Sequence, residues 1–245
     1  MRFIWCCLLL ALLNVSVCLA KPLTFKEAKK LAREHIYHDQ TQAGTFYCGC
    51  AWEWMGRQGG RIKQDSCGYK VRTDPIRGAR LEWEHLVPAS TFGKARKCWQ
   101  KGGRPYCKKH DPMFNQMEGD LHNLVPVIGE INADRANYPF AELPKTGYKH
   151  GQCEFKVDFK KGRAEPRDEV KGTIARVYFY MHDQYGFRMS RAQQKLLLNW
   201  SSLYPPNEWE LERDRRIKEH MGHSNPFVTG EKQWKIRSRN SKQGL

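Results

Sequence analysis

Cysteine content is what most limits how this chain can fold. Nine cysteines are present, and three of them, Cys6, Cys7 and Cys18, fall in a leader-like stretch at residues 1–20. That stretch opens with Met1-Arg2, is apolar from Phe3 to Val17 apart from Asn14 and Ser16, and ends Cys18-Leu19-Ala20. The pattern is that of a signal peptide with a small-residue cleavage site. Its apolar run is too short for a comfortable membrane span, so removal is expected rather than a retained anchor. Cys48, Cys50, Cys67, Cys98, Cys107 and Cys153 then remain. An even number in an exported chain argues for disulfides, which tie a fold together where loops predominate. Cys98 and Cys107 close a short Gly-containing segment and are expected as a local pair, while the pairing of the others stays open. A zinc site is the rival reading, but Cys48-Gly49-Cys50 lacks the usual two-to-four-residue ligand spacing.

Charge comes next. Lysine and arginine number 42 against 26 acidic residues, a formal charge of +16 that falls to +15 when the leader takes Arg2 with it. A balance of this kind suits a polyanionic partner such as nucleic acid. The residues after the leader are enough for one large domain or two small ones, with room for a proper core; a single domain is expected over 21–230, followed by a basic, frayed tail over 231–245. The protein is expected to act as a monomer.

Local pattern divides the chain. Thr24-Phe25-Lys26-Glu27 is a capping box, and Phe25, Ala28, Leu31, Ala32 and Ile36 follow at helical spacing. From Thr45 to Gly78, Gly, Cys, Trp and charge mix without a period, which predicts short strands and loops held by disulfides. Arg80 to Val87 has strand-like content ending at Pro88. Gly93 to Asp111 is rich in Lys, Arg and Gly and is expected as an exposed arm, and Leu121 to Asn137 as a loop followed by a helix. Three C-terminal helices are expected: one capped by Thr173 and ended by Gly186, one opened by Ser190, and one over Glu208 to Met221. The fold class is therefore α+β and mostly helical.

Three segments carry the chemistry: Leu81-Glu82-Trp83-Glu84-His85, Gly119-Asp120-Leu121-His122-Asn123-Leu124 and Gly129-Glu130-Ile131-Asn132. Carboxylate and amide oxygens suit a hard divalent cation, and a neutral imidazole, with an ordinary pKa of about 6.5, can take a proton from water. Glu84 and His85 are adjacent, so in an extended strand they point to opposite faces. They can serve one site only where the strand ends or bends, which nearby Pro88 favours. Each pair alone is weak, since Asp120, His122 and Asn123 can equally cap a turn. Asn132, inside a helical stretch, is mildly out of place by propensity.

Taken in order, these motifs resemble the bacterial endonuclease I family of periplasmic and secreted nucleases. The resemblance rests on Leu81-Glu82-Trp83-Glu84-His85-Leu86-Val87-Pro88-Ala89, Cys98-Trp99-Gln100-x-Gly102-Gly103-Arg104, Met117-Glu118-x-Asp120-Leu121-His122-Asn123-Leu124 and Gly129-Glu130-Ile131-Asn132-x-Asp134-Arg135. It continues through Cys153-x-x-Lys156-Val157-Asp158-Phe159-Lys160, Gln184-Tyr185-Gly186 and Asn225-Pro226-Phe227, and so covers nearly all of the chain after the leader. It implies a ββα-metal (His-Me finger) core that clasps one divalent ion, usually Mg2+. Glu84 and Asn132 are implied as its ligands, His85 as general base, Arg104 as stabiliser of phosphate charge and Glu118 as the residue orienting His85. It also implies cutting of DNA and RNA with little sequence preference, 5′-phosphate ends, and the pairs Cys48–Cys153 and Cys50–Cys67. Some relatives have a further cysteine pair near the C-terminus, where this chain has Leu211 and no terminal cysteine, so three disulfides are expected.

Weak base preference follows if the grip is mainly on phosphates, which carry no direct sequence information. Candidate contacts are Lys94, Arg96, Lys97, Lys101 and Arg104, with Lys108 and Lys109 just beyond. The competing function is a secreted, cationic, disulfide-linked protein that binds nucleic acid or another polyanion without cutting it. Composition permits both; the ordered motifs favour the enzyme, in the periplasm or outside the cell.

Overall fold

The structure, a computed structural model, describes residues 22–57 and 59–236. The leader and the tail from residue 237 onward lie outside the described residues. Helix α1 (Phe25–Leu31) starts at the expected capping box, with Thr24 and Glu27 satisfying each other's backbone N–H, and continues as a π-helical turn over Ala32–Ile36. Strands β1 (Trp52–Met55) and β2 (Gly59–Ile62) form an antiparallel pair in the disulfide-rich region. After the short helix α2 (Pro75–Gly78) comes β3 (Leu81–His85), and later β4 (Leu124–Ile128) pairs with it antiparallel, Leu81 opposite Ile128 and His85 opposite Leu124. Helix α6 (Gly129–Arg135) follows β4 without a break. Between β3 and β4 the chain makes α3 (Ala89–Gly93), α4 (Lys97–His110) and α5 (Pro112–Glu118). A third antiparallel pair, β5 (Lys156–Asp158) and β6 (Arg163–Glu165), precedes the long helices α7 (Asp168–Tyr185), α8 (Arg191–Leu203) and α9 (Glu208–Met221).

Strand β4 was not visible to sequence reasoning, which took this stretch as loop. Pro126 lacks an N–H and argues against a central strand. In a two-stranded sheet, however, each strand has an outer edge, and there the Pro126 carbonyl accepts from Phe46 N at 2.9 Å. Every residue of β4 is buried, so its side chains read as one apolar run rather than an alternation. Val125 and Val127 belong to the main core, whereas Leu124 and Trp83 join a smaller cluster with Ala28, Ala32, Ile36, Tyr37 and Ile217. The β3–β4 pair is thereby clamped between α1 and α9 on one side and the large core on the other.

The expected arm at 93–111 is a broken helix instead. Gly103 has φ of 63°, a region that a side chain strongly disfavours, and with Gly102 it separates two helical pieces. Pro105 falls in the first turn of the second piece, where its missing N–H does no harm. The Cys98–Cys107 disulfide spans the break, and Trp99 packs on Phe114 of α5. Helix α7 starts at Asp168 rather than at Thr173; Thr173 is buried and donates to Glu210 Oε2 at 2.7 Å. Packing also runs past the start expected for the tail, since Trp234 is buried and stacks on Phe179 at 4.6 Å. The remaining disulfides are Cys48–Cys153 and Cys50–Cys67, so Cys48 and Cys50 are taken up in bridges rather than offered to zinc.

Candidate active site

Strand β3 ends at His85, and this ending lets two adjacent side chains face one space. A cleft of about 290 Å3 is lined by Glu84, His85, Arg104, Asn132 and Arg135, with Phe25, Trp99 and Asn137 on its walls. The end of β3 is pinned by Asn123, whose Oδ1 accepts from Val87 N at 2.7 Å and whose Nδ2 donates to Val87 O at 3.0 Å. Asp120 accepts from His122 N at 2.9 Å, and His122 is buried. The segment 120–123 therefore braces the strand and stays out of the cleft.

His85 is buried, and its Nε2 lies 2.8 Å from the backbone carbonyl of Glu118. A carbonyl oxygen only accepts, so Nε2 carries the proton and Nδ1 keeps its lone pair. Burial pulls the imidazole pKa down to about 3; Arg104, Arg135 and Lys108 push the same way, against the hydrogen bond to Glu118. The ring is neutral at physiological pH and able to accept a proton. Glu118, at the end of α5, thus meets His85 through its main chain. Its buried side chain instead takes Arg104 Nε at 2.6 Å, with Lys108 Nζ at 3.6 Å. Arg104 follows the turn at Gly103, is partly exposed, and passes over the Phe25 ring.

Glu84 is buried, and Tyr47 OH at 3.2 Å and Arg135 Nη1 at 3.1 Å both approach its Oε1. Burial raises this carboxyl to about 7, despite Arg135 and Tyr47. Arg135 is itself enclosed, donating to the carbonyls of His85 at 3.1 Å and Leu86 at 2.6 Å. Asn132 Nδ2 donates to Glu82 Oε2 at 2.8 Å, an orientation that leaves the carbonyl end of the amide for another partner. Glu82 is held in turn by Arg77 and Arg80. A Cβ on Gly129 would lie 2.7 Å from Glu82 Oε1 and 2.8 Å from Arg77 O, so only glycine lets α6 start this close to β3. At the other end of α6, Ala136 has φ of 49°, the one non-glycine residue with positive φ among those described, and it lines the cleft. Strain of this kind concentrates at functional sites.

The donor set suits a hard cation. One carboxylate that burial leaves short of partners, one amide oxygen and a neutral imidazole face the same cleft. Among the described residues no group of three or more His, Cys, Asp and Glu side chains is arranged to hold a metal. A cation bound by few protein oxygens and mostly by water matches the habit of magnesium.

Of the suggested phosphate contacts, Lys94, Lys97 and Lys101 are exposed around the start of α4. Arg96 is engaged by both oxygens of Asp111, at 2.6 and 2.9 Å. Sequence reasoning missed Glu82, Arg135 and Tyr47. Glu82 shares a strand face with Glu84 by the period of two, and Arg135 lies three residues from Asn132 on α6, so both were discoverable. Tyr47 reaches Glu84 from a loop and gave no local signal.

A family model described as Endonuclease I matches residues 24–231. The chain belongs to the endonuclease I family. It is 48% identical over 208 residues to an extracellular deoxyribonuclease of Aeromonas hydrophila, covering 84% of this chain and 88% of that one. It is 44% identical over 222 residues to a periplasmic deoxyribonuclease of the same organism, covering 88% and 92%. It is also 46% identical over 206 residues to endonuclease-1 of Buchnera aphidicola, covering 83% and 82%. Within this endonuclease I chain, the matched span takes in every residue of the cleft. Among the described residues no helix is long and apolar enough to cross a membrane.

Proposed function

We propose that the protein is an exported, magnesium-dependent endonuclease with a ββα-metal core formed by β3, β4 and α6. It hydrolyses phosphodiester bonds of DNA, and of RNA, with little regard to base sequence, and acts as a monomer in the periplasm or outside the cell. One observation carries this reading: the end of β3 and the face of α6 bring Glu84, His85 and Asn132 to one cleft beside Arg104. Glu84 and Asn132 are the residues that would hold the cation. A bound divalent ion would neutralise charge on the phosphate and on the departing oxygen.

The chain's own groups supply the rest. His85 Nδ1 takes a proton from the attacking water while Nε2 stays anchored on the Glu118 carbonyl. A base placed this way contributes on the order of 10²–10⁴ in rate. The low pKa of His85 in the free protein reflects burial and cationic neighbours. A phosphate in the cleft offsets those cations and favours the protonated ring as the reaction proceeds. Arg104, backed by Glu118, lends positive charge to the phosphate. The new bond joins water oxygen to phosphorus, the bond from phosphorus to the 3′ oxygen breaks, that oxygen takes a proton from solvent and leaves as a 3′ hydroxyl, and a 5′-phosphate remains. Lys94, Lys97 and Lys101 hold the backbone on either side, so binding weakens steeply with salt.

The test is incubation of the mature protein with plasmid DNA and magnesium, with and without chelator. Nicking and linearisation that need magnesium and vanish in His85→Ala support the reading. Undiminished cutting by His85→Ala removes the imidazole from the chemistry, and DNA binding without any cutting leaves the polyanion-binding alternative.

A further inference from the structure

A second groove opens next to the cleft and shares two of its lining residues, Pro88 and Asn137. Its volume of about 500 Å3 is within the range of roughly 300–1,000 Å3 usual for small-molecule sites. We propose that it is a nucleobase subsite, which takes the base flanking the phosphate that is cut. The proposal rests on the nuclease reading above and adds to it a contact with the base rather than with the backbone.

Three features of the groove point to a base. The first is an aromatic wall. Tyr178 lies edge-to-face with Phe140 at 6.1 Å and with Phe187 at 5.9 Å; all three line the groove, each largely buried, so that only a small part of each ring reaches it. Every base has a π-face, so packing against the exposed part of such a wall tolerates any sequence and is compatible with weak base preference. The second is charge. Arg188 is exposed and forms no salt bridge with any described carboxylate, and Arg163 Nη1 donates only to the carbonyls of its own turn. The single carboxylate in the lining, Glu142, is paired with Lys171 Nζ at 3.1 Å, an ammonium it shares with Glu165 and Asp168, and is outnumbered at the rim by the two arginines. The rim is therefore positive while the interior is largely apolar, which suits a base below its own phosphate. The third is Gln193 Nε2, a buried amide nitrogen in the lining with no hydrogen-bond partner. Rotation of that amide offers either a donor or an acceptor to a base edge, so it discriminates little among bases.

The groove is also coupled to the reacting centre. Arg135 Nη2 donates to Tyr178 OH at 3.4 Å, and the same guanidinium pairs with Glu84 in the cleft. Asn137 Nδ2 donates to Ser90 Oγ at 3.3 Å and forms the sill between the two spaces, beside the strained Ala136. A base seated on Tyr178 thus rests on a residue that reaches Glu84 through Arg135.

The experiment combines an abasic scan with a groove-filling substitution. Short oligonucleotides with one defined cut site are made intact, or lacking one base at each position flanking the cut. Each is cleaved by the wild-type protein, by Ala192→Trp and by Arg188→Ala. Ala192 is an exposed residue in the first turn of α8, so a larger side chain there extends into the groove without entering the core. For the wild type, removing the base at one flanking position is expected to lower kcat/KM about fivefold or more, the low end for a base–aromatic stack. Ala192→Trp should cut the intact oligonucleotide slower by a similar factor, and loss of that same base should cost it nothing further. Arg188→Ala should raise KM on all the oligonucleotides while keeping the sensitivity to that base. The subsite is overturned if no base removal slows the wild type, or if base removal and Ala192→Trp multiply as independent effects. A wild-type protein that cuts no intact oligonucleotide overturns the underlying nuclease reading, and does so before the scan begins.

Discussion

Two buried glutamates on neighbouring elements meet opposite treatment. Glu130, in the first turn of α6, accepts hydrogen bonds from Tyr69 OH and from the backbone N–H groups of Arg72, Thr73 and Asp74. Burial pushes its pKa up, but those donors outweigh burial and hold it at about 2. Glu84, at the end of β3, has one tyrosine hydroxyl and one arginine, both on the same oxygen, and burial takes it to about 7. A carboxylate that supports the fold is surrounded by donors, because an unsatisfied buried charge destabilises the native state. One kept short of donors at a cleft is better explained by a positive partner that arrives from outside. The comparison separates the part of this segment that serves stability from the part that serves chemistry.

Substitution on each side of the comparison should give opposite signatures. The largest effect belongs to the cleft. His85→Ala should slow DNA cleavage by on the order of 10²–10⁴, with circular dichroism and DNA affinity retained. Glu84→Gln should likewise remove most activity, and wild-type turnover by either variant would break the assignment. Glu130→Gln should do the reverse. It gives up charge-assisted hydrogen bonds worth about 1–3 kcal/mol of stability in denaturant unfolding, while the folded fraction keeps its specific activity. If Glu84→Gln proves the more destabilising of the two, the comparison is wrong.

A smaller effect is expected at Glu82, which holds Asn132 by its amide nitrogen. Glu82→Ala should raise the magnesium concentration needed for half-maximal activity by on the order of tenfold, with less change in kcat at saturating metal. A change in kcat alone would place Glu82 in the chemistry rather than behind it.

The most gradual effect is in pH dependence, measured as unfolding free energy in chelator, and its sign differs between the two residues. Glu130 has a folded pKa of about 2 against an ordinary 4.5, so its contribution is present above pH 4.5 and is lost as pH falls toward 2. Glu84 is raised from 4.5 to about 7, so in the metal-free protein it lowers stability as pH rises between those values. Each slope is at most about 1.4 kcal/mol per pH unit for one proton. His85, lowered from 6.5 to about 3, contributes the opposite slope between those values, so the readout is the difference from wild type: for Glu84→Gln it should rise between pH 4.5 and 7, and for Glu130→Gln it should fall as pH rises from 2 to 4.5. Identical profiles in all three proteins would contradict both assignments.

Much of this was legible in the sequence where local rules decide. The Thr24 capping box, the Ser190 cap of α8 and the stop of α7 at Gly186 are all governed by neighbours a few residues away. Strand β4 and helix α4 were hidden because tertiary context overrode composition. Pro126 is tolerated on an outer edge, and the glycines of α4 break the helix in order to aim Arg104. At the site, ordered motifs named Glu84, His85, Arg104 and Asn132. That Glu118 meets His85 through a backbone carbonyl carries no sequence signal, since any residue presents one. Tyr47 depends on how a disulfide-tied loop folds back on β3, which no spacing rule encodes.

The central claim is that Glu84 and Asn132 jointly hold one divalent cation beside His85. Anomalous scattering from crystals soaked in manganese, used in place of magnesium, tests it most directly. A single peak within about 2.0–2.3 Å of one Glu84 oxygen and of Asn132 Oδ1, absent from Glu84→Gln crystals, is the predicted result. A peak held by other residues, or one that persists unchanged in Glu84→Gln, would contradict it.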